Sequence, residues 1–284
     1  MKARQEKAKE IGFCFGVRRA IETLEKAAKE SGALDSLGEV VHNERVLRGL
    51  ARKGVRVIKS PADIERNTVA ISAHGATPEV EAELRSRKVK IVDTTCPFVR
   101  RAQIAARRLA GAGFFVIVFG EAGHQEVKGI LGWAGGRGLA TLDAEEIANL
   151  KPIPRKLGIL SQTTQIPENF IKFVKRIVEL GLTKDAEIRI IDTICHDIRQ
   201  RQAVSARLAK KVDLMLVVGG RSSANTRRLL ELSSAETEAH QIENAAEIEP
   251  GWLKGKKSIG ITSGTSTPDE TIEEVMERLD ALSA

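Results

Sequence analysis

The chain has 284 residues, 42% hydrophobic and 29% charged, which is typical of a globular protein built from two or three α/β units. Its formal net charge of +7 suits an anionic substrate or an acidic partner, but it has no tyrosine and only two tryptophans, which argues against stacking on nucleic-acid bases. The charged N-terminal segment and the short apolar runs predict a cytoplasmic protein without a signal peptide or membrane span.

The predicted helices and strands form a pattern that repeats along the chain, and each copy begins at a cysteine. Apolar residues at spacings of three and four predict a helix after Cys14 and after Cys96. Apolar strands follow in the second and third copies, FFVIVFG and DLMLVVGG. A later strand ends in a polar cluster in every copy: VAISAHG, LGILSQTT and SIGITSGTS. A proline followed by an acid then predicts the next helix start. Two copies close with a strand that runs into the next cysteine, KIVDTTC and RIIDTIC.

This alternation of strands and helices predicts an α/β fold of three pseudo-symmetric units with mainly parallel sheets. We expect residues 15–96 to form the first unit and residues 97–194 the second. Residues 195–284 form the third unit, which residues 1–14 complete because the third copy otherwise lacks a closing strand. Ligands of parallel sheets bind outside the carboxyl ends of the strands, so the polar clusters should face a common central site.

Cys14, Cys96 and Cys195 occupy equivalent positions in the three copies. Three thiolates from equivalent positions indicate a metal site, and three unrelated buried cysteines are the alternative. Cysteine-only ligation at wide spacing favours an iron–sulfur cluster over zinc, whose structural sites usually have four ligands from short cysteine pairs. A 4Fe-4S cluster with three protein ligands keeps one iron open to substrate, as a Lewis acid and electron donor.

Polar side chains follow the predicted strands at matched positions. His42, His74 and His124 suit a cationic lining for an anion, although a single histidine at a strand end is more often structural. Glu126 suits a proton donor, and equally an acid that the macrodipole favours at a helix start. The remaining candidates offer short hydroxyl or amide groups, which suit a phosphate and also suit helix capping. They are Thr163, Ser223, Asn225 and Ser266.

Eight ordered motifs resemble the 4-hydroxy-3-methylbut-2-enyl diphosphate reductase family over essentially the whole chain. They are GFCFGVRRAI, VVHN, SAHG, DTTCPFV, GHQEVKG, SQTT, the segment around Cys195 and SGTSTP. The resemblance implies a three-lobed fold around a 4Fe-4S cluster held by the three cysteines. It also implies the last step of the non-mevalonate pathway of isoprene biosynthesis. In that step an allylic hydroxyl is removed reductively, giving isopentenyl and dimethylallyl diphosphates.

The resemblance also implies roles for the polar side chains. In this family the substrate hydroxyl binds the open iron, electrons arrive through the cluster and a glutamate relays protons. That glutamate matches Glu126, and a threonine near the hydroxyl matches Thr163. The side chains that match the diphosphate ligands are His42, His74, His124, Ser223, Asn225 and Ser266. The implied electron donor is an acidic protein similar to a reduced ferredoxin or flavodoxin, which agrees with the basic charge.

Several positions depart from the family pattern. The segment RSSANT contains Ser222 and Ala224 where the family usually reads KNSSNT. Asp197 and Ile198 replace an Ala-Thr pair after the third cysteine, and GHQE replaces GHPE. These changes leave the cysteines and Glu126 in place and bear on the affinity for, or identity of, the substrate.

Two other functions are open on the sequence alone. One is a non-redox enzyme that uses the open iron as a Lewis acid, as in quinolinate synthase, which also has three pseudo-symmetric domains with one cysteine each. The other is an iron–sulfur sensor, although the chain has no helix-turn-helix signal.

Overall fold

The computed structural model describes residues 3–182 and 185–282, and its strands form three four-stranded sheets. Every strand pair within the described residues is parallel. Strands and helices alternate along the chain, as parallel sheets require, because a crossover must return to the same end of the sheet. The predicted fold class, three α/β units with mainly parallel sheets, is confirmed.

The elements have the following bounds. The strands are β1 (Arg4–Lys7), β2 (Leu34–Leu37), β3 (Val55–Ile58), β4 (Thr68–Ile71), β5 (Lys90–Asp93), β6 (Phe115–Phe119), β7 (Gly138–Thr141), β8 (Lys156–Ser161), β9 (Glu187–Ile191), β10 (Leu214–Val218), β11 (Glu238–Ile242) and β12 (Ser258–Ser263). The helices are α1 (Phe15–Ser31), α2 (Glu44–Arg52), α3 (Pro78–Ser86), α4 (Pro97–Gly111), α5 (Gln125–Trp133), α6 (Glu145–Ala148), α7 (Pro167–Leu182), α8 (His196–Ala209), α9 (Ala224–Ser234) and α10 (Asp269–Leu282).

The chain separates into two compact units. Unit 1 comprises Met1–Arg18, Val41–Gly49 and His196–Ala284, and unit 2 comprises Arg19–Val40 and Leu50–Cys195. Unit 1 contains one sheet, with strand order β1-β12-β10-β11. Unit 2 contains two sheets, with orders β3-β2-β4-β5 and β7-β6-β8-β9. The three-unit boundaries at residues 15–96, 97–194 and 195–284 with 1–14 stay a prediction.

Continuous apolar strands fill the middle of two sheets. The sequences of β6 (FVIVF) and β10 (LMLVV) do not alternate, which is typical of parallel strands covered on both faces. In unit 2, β6 packs with α5 through Val127 and Ile130. In unit 1, β10 and β12 pack with α10 through Ile272 and Val275. These cores fix the strand ends, from which the functional loops emerge.

Each cysteine stands immediately before a helix. Cys14 precedes α1, Cys96 precedes α4 and Cys195 precedes α8. The first peptide N–H groups of a helix lack partners within it and carry its positive dipole end, so all three thiols lie where negative charge is favoured. Among the helices in the described ranges, none has both the length and the apolar character of a membrane span.

Candidate functional site

In unit 2, backbone hydrogen bonds tie each cysteine loop to a neighbouring strand end. The Cys96 N–H donates to the carbonyl of Ala73, the residue before His74, at 3.0 Å. The Cys195 N–H donates to the carbonyl of Thr163 at 3.0 Å. Each cysteine therefore lies beside a loop that carries one of the predicted site residues.

The start of α5 brings two histidines and a glutamate together. His124 caps the helix, and its Nδ1 accepts the N–H of Glu126 at 3.1 Å. The His124 ring also meets the His74 ring edge to face, with 5.5 Å between ring centroids. An Nδ1 that accepts a hydrogen bond carries no proton, so neutral His124 donates through Nε2 alone. His124 therefore caps the helix as an imidazole with a single N–H, on Nε2.

Thr163 holds the Glu126 carboxyl group from two directions. The Thr163 N–H donates to Oε1 at 2.6 Å, and the Thr163 hydroxyl donates to Oε2 at 2.9 Å. Glu126 is only 2% exposed. Burial raises the pKa of Glu126 to about 7, although the two hydrogen bonds from Thr163 act in the opposite direction. The pair is therefore a buried acid that exchanges its proton near neutral pH.

Burial, more than the helix dipole, decides the charge of Glu126. A dipole at a helix start favours a carboxylate by typically about 0.3–1 kcal/mol. The difference between the ordinary pKa of 4.5 and a pKa of about 7 corresponds to about 3 kcal/mol in favour of the neutral form. Glu126 thus differs from an ordinary first-turn acid, which is charged at neutral pH.

Replacing Glu126 by glutamine is expected to stabilise the protein above pH 7 by up to about 3 kcal/mol. Because the pKa of the folded wild type is raised, the unfolded chain releases its proton from about pH 4.5 upward while the folded state keeps it. The wild type therefore loses stability as the pH rises from about 4.5 through about 7. Denaturant unfolding of both cluster-free proteins at pH 5 and pH 8 measures this, and an equal difference at both pH values would contradict it.

In unit 1, a tight turn places Cys14 at the end of β12. Gly12 has φ +80°, and a Cβ there would lie 2.1 Å from Oδ1 of Asp269, so this turn needs glycine. The Gly12 N–H donates to the Ser263 hydroxyl oxygen at 2.9 Å, and the Cys14 N–H donates to the Thr265 carbonyl at 3.2 Å. The thiol then accepts the N–H of Val17, in the first turn of α1, at 3.5 Å.

Arg201 is a buried cation beside Cys14, and the sequence analysis missed it. It is 3% exposed, and its terminal nitrogens donate to the carbonyls of Ser263 and Gly12, each at 3.0 Å. Its Nε–H has no hydrogen-bond partner among the residues that the structure describes. Burial raises the pKa of the Cys14 thiol, and the Val17 N–H and the Arg201 charge oppose that rise in part. Burial likewise lowers the pKa of Arg201.

The polar residues of unit 1 gather where β10 and β12 end. Ser266 donates its hydroxyl hydrogen to the His42 carbonyl at 3.4 Å, and a Cβ on Gly220 would lie 2.5 Å from the same oxygen. Ser223 caps α9, since its hydroxyl oxygen accepts the Thr226 N–H at 3.3 Å. The cap bond leaves the Ser223 hydroxyl hydrogen available, so capping and phosphate binding are compatible.

Asn225 is a buried amide whose side-chain atoms have no hydrogen-bond partner among the described residues of unit 1. Its side chain is in the first turn of α9 and is 2% exposed. Both its Oδ1 and its Nδ2 lack hydrogen-bond partners among the described residues. A buried amide without partners costs free energy, which a hydrogen-bonding ligand would recover.

Apart from Gln125 of GHQE, which is in unit 2, the positions that depart from the family pattern lie in unit 1. Ala224 and Ile198 are buried, at 2% and 4% exposure. Asp197 is in the first turn of α8. Ser222 is exposed and accepts a hydrogen bond from Arg227 at its carbonyl, so its side chain takes no part in that contact.

Comparisons with known proteins cover nearly the whole chain. The sequence model of the LytB protein family matches residues 6–280. A 4-hydroxy-3-methylbut-2-enyl diphosphate reductase of Dehalococcoides mccartyi (strain CBDB1) is 57% identical over 279 residues, which is 98% of each chain. The reductase of Geobacter metallireducens is 42% identical over 273 residues, covering 96% of this chain and 95% of the relative.

Two solved structures are similar to this chain. A structure of (E)-4-hydroxy-3-methyl-but-2-enyl diphosphate reductase, the terminal enzyme of the non-mevalonate pathway, superposes with a TM-score of 0.71 at 36% identity and covers 98% of this chain and 99% of the other. The E-1-hydroxy-2-methyl-but-2-enyl-4-diphosphate reductase from Plasmodium falciparum gives a TM-score of 0.88 at 26% identity, over 100% of this chain and 89% of the other.

Proposed function

Because the chain belongs to the LytB family, we propose that it reduces 4-hydroxy-3-methylbut-2-enyl diphosphate to isopentenyl and dimethylallyl diphosphates in isoprene biosynthesis. The observation that carries this proposal is the 57% identity to a reductase of that name over 98% of both chains. The reaction breaks the allylic C–O bond, consumes two electrons and two protons, and releases water. The protein must therefore bind a diphosphate, hold a proton and receive electrons.

We assign Cys14, Cys96 and Cys195 as the ligands of a 4Fe-4S cluster, the iron–sulfur cofactor that the family implies. When bound, the cluster supplies electrons and an open iron that acts as a Lewis acid. The donor set fits it: within the described ranges none of the three cysteines is in a disulfide, and each precedes a helix. The Nε–H of Arg201 near Cys14, which has no partner among the described residues, is also what a buried anion would require.

Glu126 is the proposed proton donor, and Thr163 positions it. A pKa of about 7 keeps a substantial fraction of Glu126 protonated at neutral pH. The proton serves either the departing hydroxyl, which then leaves as water, or the allylic carbon. Thr163 fixes both carboxyl oxygens, and its carbonyl accepts the Cys195 N–H, so Thr163 contacts both the proton donor and a proposed cluster ligand.

The diphosphate is the proposed ligand of the remaining polar groups. In unit 2, the rings of His74 and His124 are adjacent, and His124 caps α5 through Nδ1. In unit 1, Ser223 keeps a hydroxyl hydrogen available, and Ser266 and His42 share one loop cluster. Asn225 adds an amide without internal partners among the described residues. We assign all six to phosphate oxygens, which accept hydrogen bonds from such donors.

Replacing Asn225 by alanine is expected to raise the KM for the diphosphate about 10- to 100-fold, because a hydrogen bond to a charged group contributes about 1.5–3 kcal/mol. The free protein should unfold at an unchanged or higher denaturant concentration, since no side-chain hydrogen bond to a described residue is lost. Asn244→Ala is the matched control. Asn244 accepts the Ala246 N–H at 3.0 Å and donates to Glu247 at 3.0 Å, so its loss should lower stability and leave KM unchanged. Equal KM values for both variants would remove Asn225 from the site.

The proposed function is tested by anaerobic reconstitution of the chain with iron and sulfide. Oxidation of reduced methyl viologen is then followed after 4-hydroxy-3-methylbut-2-enyl diphosphate is added. Turnover to the two isoprenoid diphosphates supports the proposal and makes Ala224 and Ile198 tolerated variations. A protein with a full cluster and no turnover would instead act on another substrate.

A further inference from the structure

Unit 1 carries a basic groove on the side of its sheet where β1 forms the edge. We define the basic groove by four exposed cations: Lys7, Lys9, Arg207 and Lys211. Its volume is about 240 Å³. Three apolar side chains also line it, Ala8, Val204 and Leu208, and Glu6 is its one acidic lining residue.

The cations of the basic groove have no acidic partners among the residues that the structure describes. Other basic side chains nearby are neutralised, since Arg4 pairs with Glu6 at 3.3 Å and Lys210 pairs with Glu236 at 3.4 Å. No ion pair joins the four groove cations to an acidic side chain within the described residues, and the Arg207 Nε–H donates only to the Ala203 carbonyl at 3.1 Å. Four uncompensated charges around an apolar floor repel one another, and an acidic surface placed against them relieves that repulsion.

The basic groove is close to a proposed cluster ligand. Lys9 precedes Cys14 by five residues, so their Cα atoms are at most about 18 Å apart. On the other wall, α8 carries Arg201, which donates to the carbonyl of Gly12 two residues before Cys14, and, six residues later, Arg207 in the groove. Six residues of α-helix span about 9 Å. The groove therefore lies about two helical turns from the Cys14 loop.

From this placement we propose that the basic groove is the docking site of the acidic one-electron carrier protein that reduces the enzyme. The inference rests on the proposed function, because only a reductase needs such a partner. Electron-transfer partners use small, transient interfaces, which a groove of this size with an apolar floor and a charged rim suits. Charge complementarity steers such encounters and makes their rate depend on salt. Proximity to Cys14 is essential, since electron transfer weakens steeply with distance.

The test reverses the four charges together, as Lys7→Glu, Lys9→Glu, Arg207→Glu and Lys211→Glu. With a reduced acidic ferredoxin as donor, we expect kcat/KM for ferredoxin to fall at least about 10-fold at low ionic strength, and the difference from wild type to shrink as salt is added. With reduced methyl viologen, turnover should stay within about two-fold of wild type, because this small donor needs no protein interface. Should the reversed protein fold poorly, glutamine at the same four positions gives the same comparison with a smaller effect.

The control reverses two exposed cations elsewhere in unit 1, as Lys254→Glu and Arg278→Glu, which is half the number reversed in the groove. It should retain ferredoxin-driven turnover. Direct titration of ferredoxin binding needs no substrate, so it separates the two proposals. If the wild type shows no viologen-driven turnover, the reductase function is refuted, but the binding result still stands. Equal ferredoxin affinity in the wild type and the groove variant would overturn the docking site. Binding of the groove to anionic lipid vesicles in place of ferredoxin would also overturn the proposed docking site.

Discussion

Glu126→Gln is expected to lower turnover by about 10²- to 10⁴-fold, the usual contribution of a positioned proton donor. Glutamine keeps the shape of the side chain and can still accept the Thr163 N–H, but it has no proton to give. Iron and sulfide content should therefore match the wild type. Because the loss falls on the chemical step, kcat should drop while the binding of the diphosphate changes little. Single-turnover kinetics with reduced, reconstituted protein measures both quantities.

Glu79→Gln is the matched control for this variant. Glu79 is also an acid in the first turn of a helix in unit 2, α3, but it is exposed and its pKa is lowered by hydrogen bonds from its own backbone N–H and from Thr77. Both substitutions remove one carboxylate from a helix start. If Glu126 only interacted with the helix macrodipole, the two variants would have similar turnover. Turnover of Glu126→Gln within a few fold of Glu79→Gln would remove the proton-donor role.

The sequence predicted those buried strands that consist of a continuous run of apolar residues. β6 and β10 are such runs. β2, the strand that follows the first cysteine helix, was not predicted because its sequence LDSL contains Asp35, which is fully buried. The Arg56 guanidinium donates to Oδ1 of Asp35 at 2.8 Å, and the backbone N–H groups of Glu65 and Arg66, in the loop before β4, donate to Oδ2. Burial alone would raise the pKa of Asp35, but these hydrogen bonds hold it below its ordinary value.

The sequence proposes the candidate site as a set of residue types, and it does not give their charge states. Repeat positions singled out Glu126 and Asn225, but only their burial shows that one exchanges a proton near pH 7 and the other lacks internal partners among the described residues. Arg201 carried no sequence signal, because arginine on a helix is usually solvated. Its burial beside Cys14 depends on the turn at Gly12, which brings together segments far apart in the chain.

Replacing any one of the three cysteines by serine is expected to lower cluster affinity more than about 10-fold and to abolish substrate-dependent viologen oxidation. Even residues that only support a metal ligand change affinity by about 10- to 100-fold, and a serine hydroxyl is a poorer iron ligand than a thiolate. Iron, sulfide and visible absorption per chain measure the loss. The alternative of three unrelated buried cysteines predicts an unchanged iron content.

The position of the cysteines makes this experiment decisive, because serine should leave the fold intact or improve it. Each cysteine is the residue before a helix, and serine is among the best residues at that position. At Cys14 a serine oxygen would accept the Val17 N–H that the thiol accepts at 3.5 Å. At Cys96, whose thiol makes no cap hydrogen bond to α4, serine would add one. Cluster-free Cys14→Ser and Cys96→Ser proteins should therefore resist denaturant at least as well as the wild type. Loss of iron together with unchanged or higher stability can only come from loss of a ligand.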